Sequence, residues 1–139
     1  MSDKMQIGSF LIRVTLGLIF FVHGLMKFQG GVANTGKFFE SVGIPAPDIM
    51  AMIVAAAELA GGIFMLVGLG TRIISAIFAV IMLVAIFTVK LPSGFAGGYE
   101  FELALLIMAV HLLLGGSRLL AADRVFARDT SQTGRPTDA

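Results

Sequence analysis

The stretch IMAMIVAAAELAGGIFMLVGL, residues 49–69, carries one charged side chain, Glu58, near its middle. The stretch is long enough to cross a hydrocarbon core of about 30 Å as a helix. An ionised carboxylate at that depth is costly unless it is paired, faces a polar cavity or takes up a proton. Each of these arrangements bears on function, so Glu58 is the first residue to explain.

The composition is that of a membrane protein. Apolar residues make up 57% and charged residues 14% of the chain, and the mean hydropathy is +0.93, whereas about a quarter of a soluble domain is charged. A net charge of +1 gives no reason to expect a nucleic-acid partner. Cysteine is absent, which excludes disulfides, thiolate metal ligands and iron–sulfur clusters. Redox chemistry would therefore depend on a bound molecule, and no metal site is predicted.

Three further apolar stretches surround residues 49–69, and none alternates with a period of two, which argues against membrane β-strands. The sequence predicts an all-α fold, an integral membrane four-helix bundle with antiparallel, up-down helices. A short helix at the membrane interface is predicted between the first two spans, because apolar side chains mix there with Lys37 and Glu40. The predicted spans are residues 7–28, 49–69, 73–89 and 101–120, in a single domain of residues 1–126 followed by a polar, disordered tail at 127–139.

The basic residues indicate how the helices are oriented. An even number of spans puts both termini on one side, where six basic residues stand against three on the other side. Because basic residues concentrate in cytoplasmic segments, the termini are predicted to be cytoplasmic. The six are Lys4, Arg72, Arg118, Arg124, Arg128 and Arg135, and the three are Lys27, Lys37 and Lys90.

Polar residues align on three of the four predicted helices when successive residues are placed 100° apart. The alignment predicts a common polar interior. By depth below the outer ends of the helices, Glu58 ranks with His23, His111 and Arg13. Arg13 is the preferred partner, because its planar guanidinium matches a carboxylate. The three stripes are Arg13, Gly17, Phe20, Gly24 and Lys27; Ala51, Ala55, Glu58, Gly62 and Met65; and Glu100, Ala104, Ile107, His111, Gly115 and Arg118.

Each of these polar residues also has a structural interpretation. A buried pair of Arg13 with Glu58 could fix helix register alone, and Lys27 could be an interfacial anchor whose stem lies along the helix. His111 could donate to a neighbouring carbonyl. The number of polar groups favours a pocket over a single pair. Haem is disfavoured, because His23 and His111 differ in depth by about 9 Å and cannot approach one iron from opposite sides.

Several short motifs occur in an order and spacing that resemble the DoxX family of four-helix membrane proteins. The resemblance extends over about residues 7–126. Each motif is weak alone, and their combination is specific. The motifs are Arg13, Gly17, Phe20, His23, Gly24 and Lys27 in the first span; VGIP at 42–45; ELAGG at 58–62; GLGTR at 68–72; GGYE at 97–100; and GGSR at 115–118 with Asp123.

The resemblance implies a protein of the bacterial inner membrane, grouped with oxidoreductases and linked by analogy to quinones and catechols. Its recurrent polar positions correspond here to Arg13, His23, Lys27, Glu58 and Glu100. Glu102 and His111 fall outside that pattern.

The leading hypothesis is a quinone or quinol site inside the bundle. Its predicted binding residues are Arg13, His23, Lys27, Glu58, Glu100 and His111, with Glu58 and His23 relaying protons. No cofactor is expected to be covalently bound. The chain has no flavin or dinucleotide fingerprint, so electrons would come from a soluble or membrane redox partner. Two other classes stay open: a transporter of small aromatic or quinone-like compounds, for which a homodimer is expected, and a scaffold or chaperone that recruits proteins through residues 29–48.

Overall fold

The computed structural model describes residues 2–126, and the structured part of this region is helical throughout. Five α-helices lie between Asp3 and Gly115, and the fourth continues through irregular turns toward the fifth; residues 122–126 are helical as well. Within residues 2–126, four helical segments are long and apolar enough to cross a membrane, which confirms the all-α class and the predicted number of membrane-length helices. The elements are α1 (Asp3–Gln29), α2 (Val32–Ser41), α3 (Pro47–Val67), α4 (Thr71–Ala85), a π-helical turn (Ile86–Lys90), a 3₁₀ turn (Leu91–Ser93), a second π-type turn (Phe95–Tyr99) and α5 (Glu100–Gly115).

The helices alternate in direction and define two ends of the molecule. The terminal end holds the start of α1, the α3–α4 turn and the end of α5; the loop end holds α2 and the turns before α5. The short helix predicted between the first two spans is present as α2. The predicted tail, residues 127–139, lies outside the described residues.

Helices α1 and α3 pack backbone against backbone. A Cβ atom added to Gly62 would lie 2.5 Å from the backbone nitrogen of Phe21, and one added to Gly24 would overlap the backbone of Leu59. Glycine is required at both places because the neighbouring atoms belong to the main chain and cannot move aside. The small-residue stripe predicted around Glu58 is buried along its whole length.

These contacts fix the register between the two helices. Gly24 lies opposite Leu59 and Gly17 lies opposite Leu66, so the end of α1 at Gln29 is level with Val54. The first two turns of α3 therefore extend about 10 Å beyond α1. Helix α2 packs against this projecting part of α3.

The apolar core lies between the middle of the bundle and the terminal end. The rings of Phe20 and Phe78 stack with centroids 3.7 Å apart. Phe78 also packs on Gly61, where a Cβ would lie 2.8 Å from the ring. Helices α3 and α4 touch at this contact. The tight turn at Gly68–Gly70 joins them at the terminal end, and toward the loop end they separate. The core comprises Leu16, Phe20, Met65, Phe78, Ala79, Met82, Leu105, Ala109 and Leu112.

The last helix is shorter than the predicted span of residues 101–120. Helix α5 ends at Gly115, and the next residue, Gly116, has a φ of 65° that turns the chain away from the helix axis. Leu120 also adopts a positive φ. The carbonyl oxygens of Leu119 and Leu120 accept hydrogen bonds from the side chain of Arg13 on α1.

Candidate functional site

A cavity of about 580 Å³ lies at the loop end, where α3 and α4 separate. Its floor is formed by Phe20, Met82 and Leu105, which belong to the core. Its lips carry the exposed apolar side chains of Ile53 on α3 and Val80 on α4. Because these side chains are exposed on the outside of the bundle, the cavity has a lateral mouth between α3 and α4. The walls are mostly apolar, and the polar side chains among them are His23, Lys27, Glu58, Thr88 and Glu102.

Glu58 pairs with Lys27 across the α1–α3 contact. The distance from Lys27 Nζ to Glu58 Oε2 is 2.7 Å, and the side chains are 24% and 5% exposed, respectively. The preferred pairing of Glu58 with Arg13 is therefore wrong. The partner of Glu58 is Lys27 instead. The depth ranking failed because it counted each helix from its own end, whereas α3 starts two turns beyond α1.

His23 lines the same cavity one turn before Lys27. Its Nδ1 is 2.8 Å from the carbonyl oxygen of Ile19, and a carbonyl can only accept, so Nδ1 carries the hydrogen. In the neutral ring Nε2 then keeps its lone pair. The imidazole also lies against Phe101, with ring centroids 6.1 Å apart. His23, Lys27 and Glu58 are thus three predicted site residues that the fold brings to one cavity.

Glu102, which is not among the predicted site residues, adds a second carboxylate to the cavity. It is 9% exposed, and its Oε1 lies 3.5 Å from Nζ of Lys90. Its Oε2 is buried and has no hydrogen-bond partner within residues 2–126. The signal in the sequence was available, because Glu102, Leu105, Ala109 and Leu112 form one helical face, and that face is the buried one.

Arg13 lies at the other end of the molecule. Its guanidinium donates through Nη1 to the carbonyl of Leu119 at 2.9 Å and through Nη2 to that of Leu120 at 3.0 Å. Nη1 also lies 3.3 Å from the hydroxyl of Ser117. In the α1–α3 register Arg13 is about 18 Å from the level of Glu58. Arg13 holds the segment after α5 against the bundle and does not line the cavity.

Glu100 and His111 also lie outside the cavity. Glu100 accepts from the backbone N–H of Gly97 at 3.2 Å. His111 Nε2 is 3.0 Å from the hydroxyl of Ser9 at the terminal end. The predicted stripe through Glu100, Ala104, Ile107 and His111 is exposed, so the assignment of that face of α5 to the interior was wrong.

The buried contacts of Arg13 predict a loss of stability on substitution. Arg13→Met should lower the free energy of unfolding by about 2 kcal/mol, because two carbonyls lose their hydrogen-bond donor. Removal of a desolvated charge offsets part of the loss. Denaturant titration in mixed micelles measures this. Arg118→Met, at an exposed position on the same side, should stay within about 0.5 kcal/mol of the wild type. Equal stability of the two variants would contradict the structural role of Arg13.

Comparisons with known proteins give a consistent result. The family model for DoxX matches residues 8–91. The "Putative oxidoreductase CatD" of Bacillus subtilis (strain 168) is 49% identical over 123 residues, covering 88% of this chain and 90% of the relative. The "Uncharacterized membrane protein Rv3486" of Mycobacterium tuberculosis is 29% identical over 136 residues, covering 88% of this chain and 83% of the relative. No solved structure matches the chain.

Proposed function

The chain belongs to the DoxX family of multi-pass membrane proteins, and from that premise we propose that it binds a quinone or quinol-like molecule in the loop-end cavity as the membrane component of an oxidoreductase. The observation that carries the proposal is the meeting of His23, Lys27 and Glu58 in one mostly apolar cavity. A relative named as an oxidoreductase supports the reaction class.

The cavity fits the chemistry of a quinone. Its volume of about 580 Å³ falls within the range of about 300–1,000 Å³ for small-molecule sites. The apolar walls suit the ring. Lys27 Nζ carries three hydrogens. It donates one to Glu58, which leaves two for a carbonyl oxygen of the ligand. An ammonium donor stabilises the negative charge that develops on that oxygen during reduction.

Protons and electrons then arrive by different routes. Conversion of a quinone to its hydroquinone takes two electrons and two protons. His23 and Glu58 border the cavity and pass protons to the quinone oxygens in this proposal. The chain has no cysteine and no tryptophan, so in this proposal a redox partner supplies the two electrons. A reduced flavin on that partner, oxidised as the quinone is reduced, balances the step.

The lateral mouth suits a ligand that lives in the bilayer. The exposed side chains of Ile53, Ile77, Val80 and Val84 surround it. A lipophilic quinone would enter between α3 and α4 without crossing water. Transport is less well supported, because the stacked rings of Phe20 and Phe78 close the cavity toward the terminal end. In this proposal the protein lies in the inner membrane, as the family resemblance implies, and its termini are cytoplasmic, as the distribution of basic residues favours.

Ligand binding by a double variant tests the proposal. Lys27→Met combined with Glu58→Gln removes the donor and its buried partner together, so no unpaired ion remains. We expect the purified double variant to bind ubiquinone-1 at least about ten-fold more weakly than wild type, measured by isothermal titration in detergent, because a hydrogen bond to a charged donor is lost.

Lys37→Met is the matched control. Lys37 is exposed on α2, at the same end of the molecule and outside the cavity. Its affinity for ubiquinone-1 should stay within about two-fold of wild type. If wild type binds neither ubiquinone-1 nor its hydroquinone, or if wild type and the double variant bind with equal affinity, the proposed site is refuted.

A further inference from the structure

Glu102 presents a hydrogen-bond acceptor that nothing in the chain's described residues satisfies. Its Oε2 is buried and has no partner within residues 2–126, while Lys90 contacts only the other oxygen, at 3.5 Å. Buried acceptors in native proteins almost always have a donor, and leaving one unpaired is costly. Glu102 lines the loop-end cavity, so a ligand in that cavity can supply the missing donor when the carboxyl group turns toward it.

The chemistry of a carboxylate restricts what that ligand can be. An ionised carboxylate only accepts hydrogen bonds. A quinone carbonyl also only accepts, so it would bring lone pairs toward Glu102. A phenolic hydroxyl of a hydroquinone donates to Glu102, and the hydroxyl oxygen at the other end of the ring can still accept from Lys27.

We infer that Glu102 is a further ligand-binding residue and that it makes the cavity selective for the reduced, hydroxyl-bearing form of the quinone pair. This inference rests on the proposed function and adds the redox state that the site holds. Lys27 and Glu58 lie on α1 and α3, and Glu102 on α5, so the donor and the unpaired acceptor are held by different helices. All three residues line the same cavity, and a ring with polar groups at its two ends presents one of them to each side.

Three ligands with the same ring separate the possibilities. They are ubiquinone-1, its hydroquinone kept reduced under anaerobic conditions, and the dimethyl ether of that hydroquinone, which has no donor. Wild-type protein should bind the hydroquinone roughly ten- to a hundred-fold more tightly than either other ligand, since a hydrogen bond to a charged, otherwise unpaired acceptor is gained only there.

Glu102→Gln should reduce the preference for the hydroquinone to less than about three-fold. The glutamine amide is uncharged, so it is a weaker acceptor, and it can also donate to a quinone carbonyl. Glu100→Gln is the matched control. Glu100 is exposed, two residues away and outside the cavity, so this variant should keep the full preference.

The outcomes distinguish the inference from the proposed function. Equal binding of the three ligands to wild type, or tighter binding of the quinone, overturns the role of Glu102 and leaves the quinone site standing. An unchanged preference in Glu102→Gln overturns it as well. Failure of all three ligands to bind overturns both. If Glu102→Gln does not fold, the comparison of the three ligands on wild type still decides.

Discussion

Lys27→Met alone should lower the free energy of unfolding by roughly 3–5 kcal/mol, because it leaves a buried carboxylate without its partner. Glu58 is only 5% exposed, and the ion pair holds its Oε2 at 2.7 Å. Methionine fills much of the same volume and cannot donate. Denaturant titration of the purified variant in mixed micelles gives the free energy, and the amount that accumulates in the membrane should fall with it.

The double variant shows whether the effect comes from the pair. Adding Glu58→Gln to Lys27→Met removes the uncompensated charge and should recover most of the lost stability, so the two changes should be strongly non-additive. Lys37→Met on the exposed face of α2 should change stability by no more than about 0.5 kcal/mol. If Lys27→Met is as stable as wild type, or if the second change brings no recovery, the pair does not stabilise the fold.

The fold class was predictable because its determinants are local in the sequence. Hydropathy over about twenty residues identifies each span, and helical spacing identifies the buried face of α3. Every member of the stripe through Ala51, Ala55, Glu58, Gly62 and Met65 is buried. On α1 the stripe that carries Arg13 and Phe20 is buried up to Gly24.

The partner of Glu58 was not predictable by counting residues from helix ends. The register of α1 against α3 depends on contacts between residues far apart in the chain, here Gly24 with Leu59 and Gly62 with Phe21. Matching these glycines between the two helices could have identified the partner of Glu58. If Gly24 is matched to the small residues around Glu58, then Lys27, one turn further along α1, is the nearest cation.

The error on α5 has another cause. The prediction assumed that polar side chains mark the inward face of a helix in a membrane protein. On α5 the two polar residues of the predicted stripe make contacts at the two ends of the molecule instead. Glu100 accepts a hydrogen bond from the backbone of Gly97, and His111 contacts Ser9. The face that is buried contains Glu102 as its one polar member, so a rule that counts polar residues selects the wrong side.

Gly62→Ala should be strongly destabilising although it adds a single methyl group. The new Cβ would lie 2.5 Å from the nitrogen and 2.7 Å from the Cα of Phe21, and 2.8 Å from the carbonyl oxygen of Gly17. All three atoms are main chain, so α1 and α3 must move apart. We expect a loss of at least about 3 kcal/mol, at the upper end for overpacking, and a larger loss when Gly24→Ala is added. Because Lys27 and Glu58 bridge these same helices, quinone affinity should fall too.

Gly8→Ala separates this packing effect from the general effect of replacing glycine in a helix. Gly8 is also in α1, and a Cβ there would meet nothing within 4 Å. Alanine is a better helix former than glycine by up to about 1 kcal/mol, so Gly8→Ala should leave stability unchanged or raise it. The same chemical change therefore has opposite signs at two positions in the bundle. Unfolding titrations that give Gly62→Ala and Gly8→Ala the same stability would show that α1 and α3 do not meet backbone to backbone, and the pairing of Lys27 with Glu58 would lose its geometric basis.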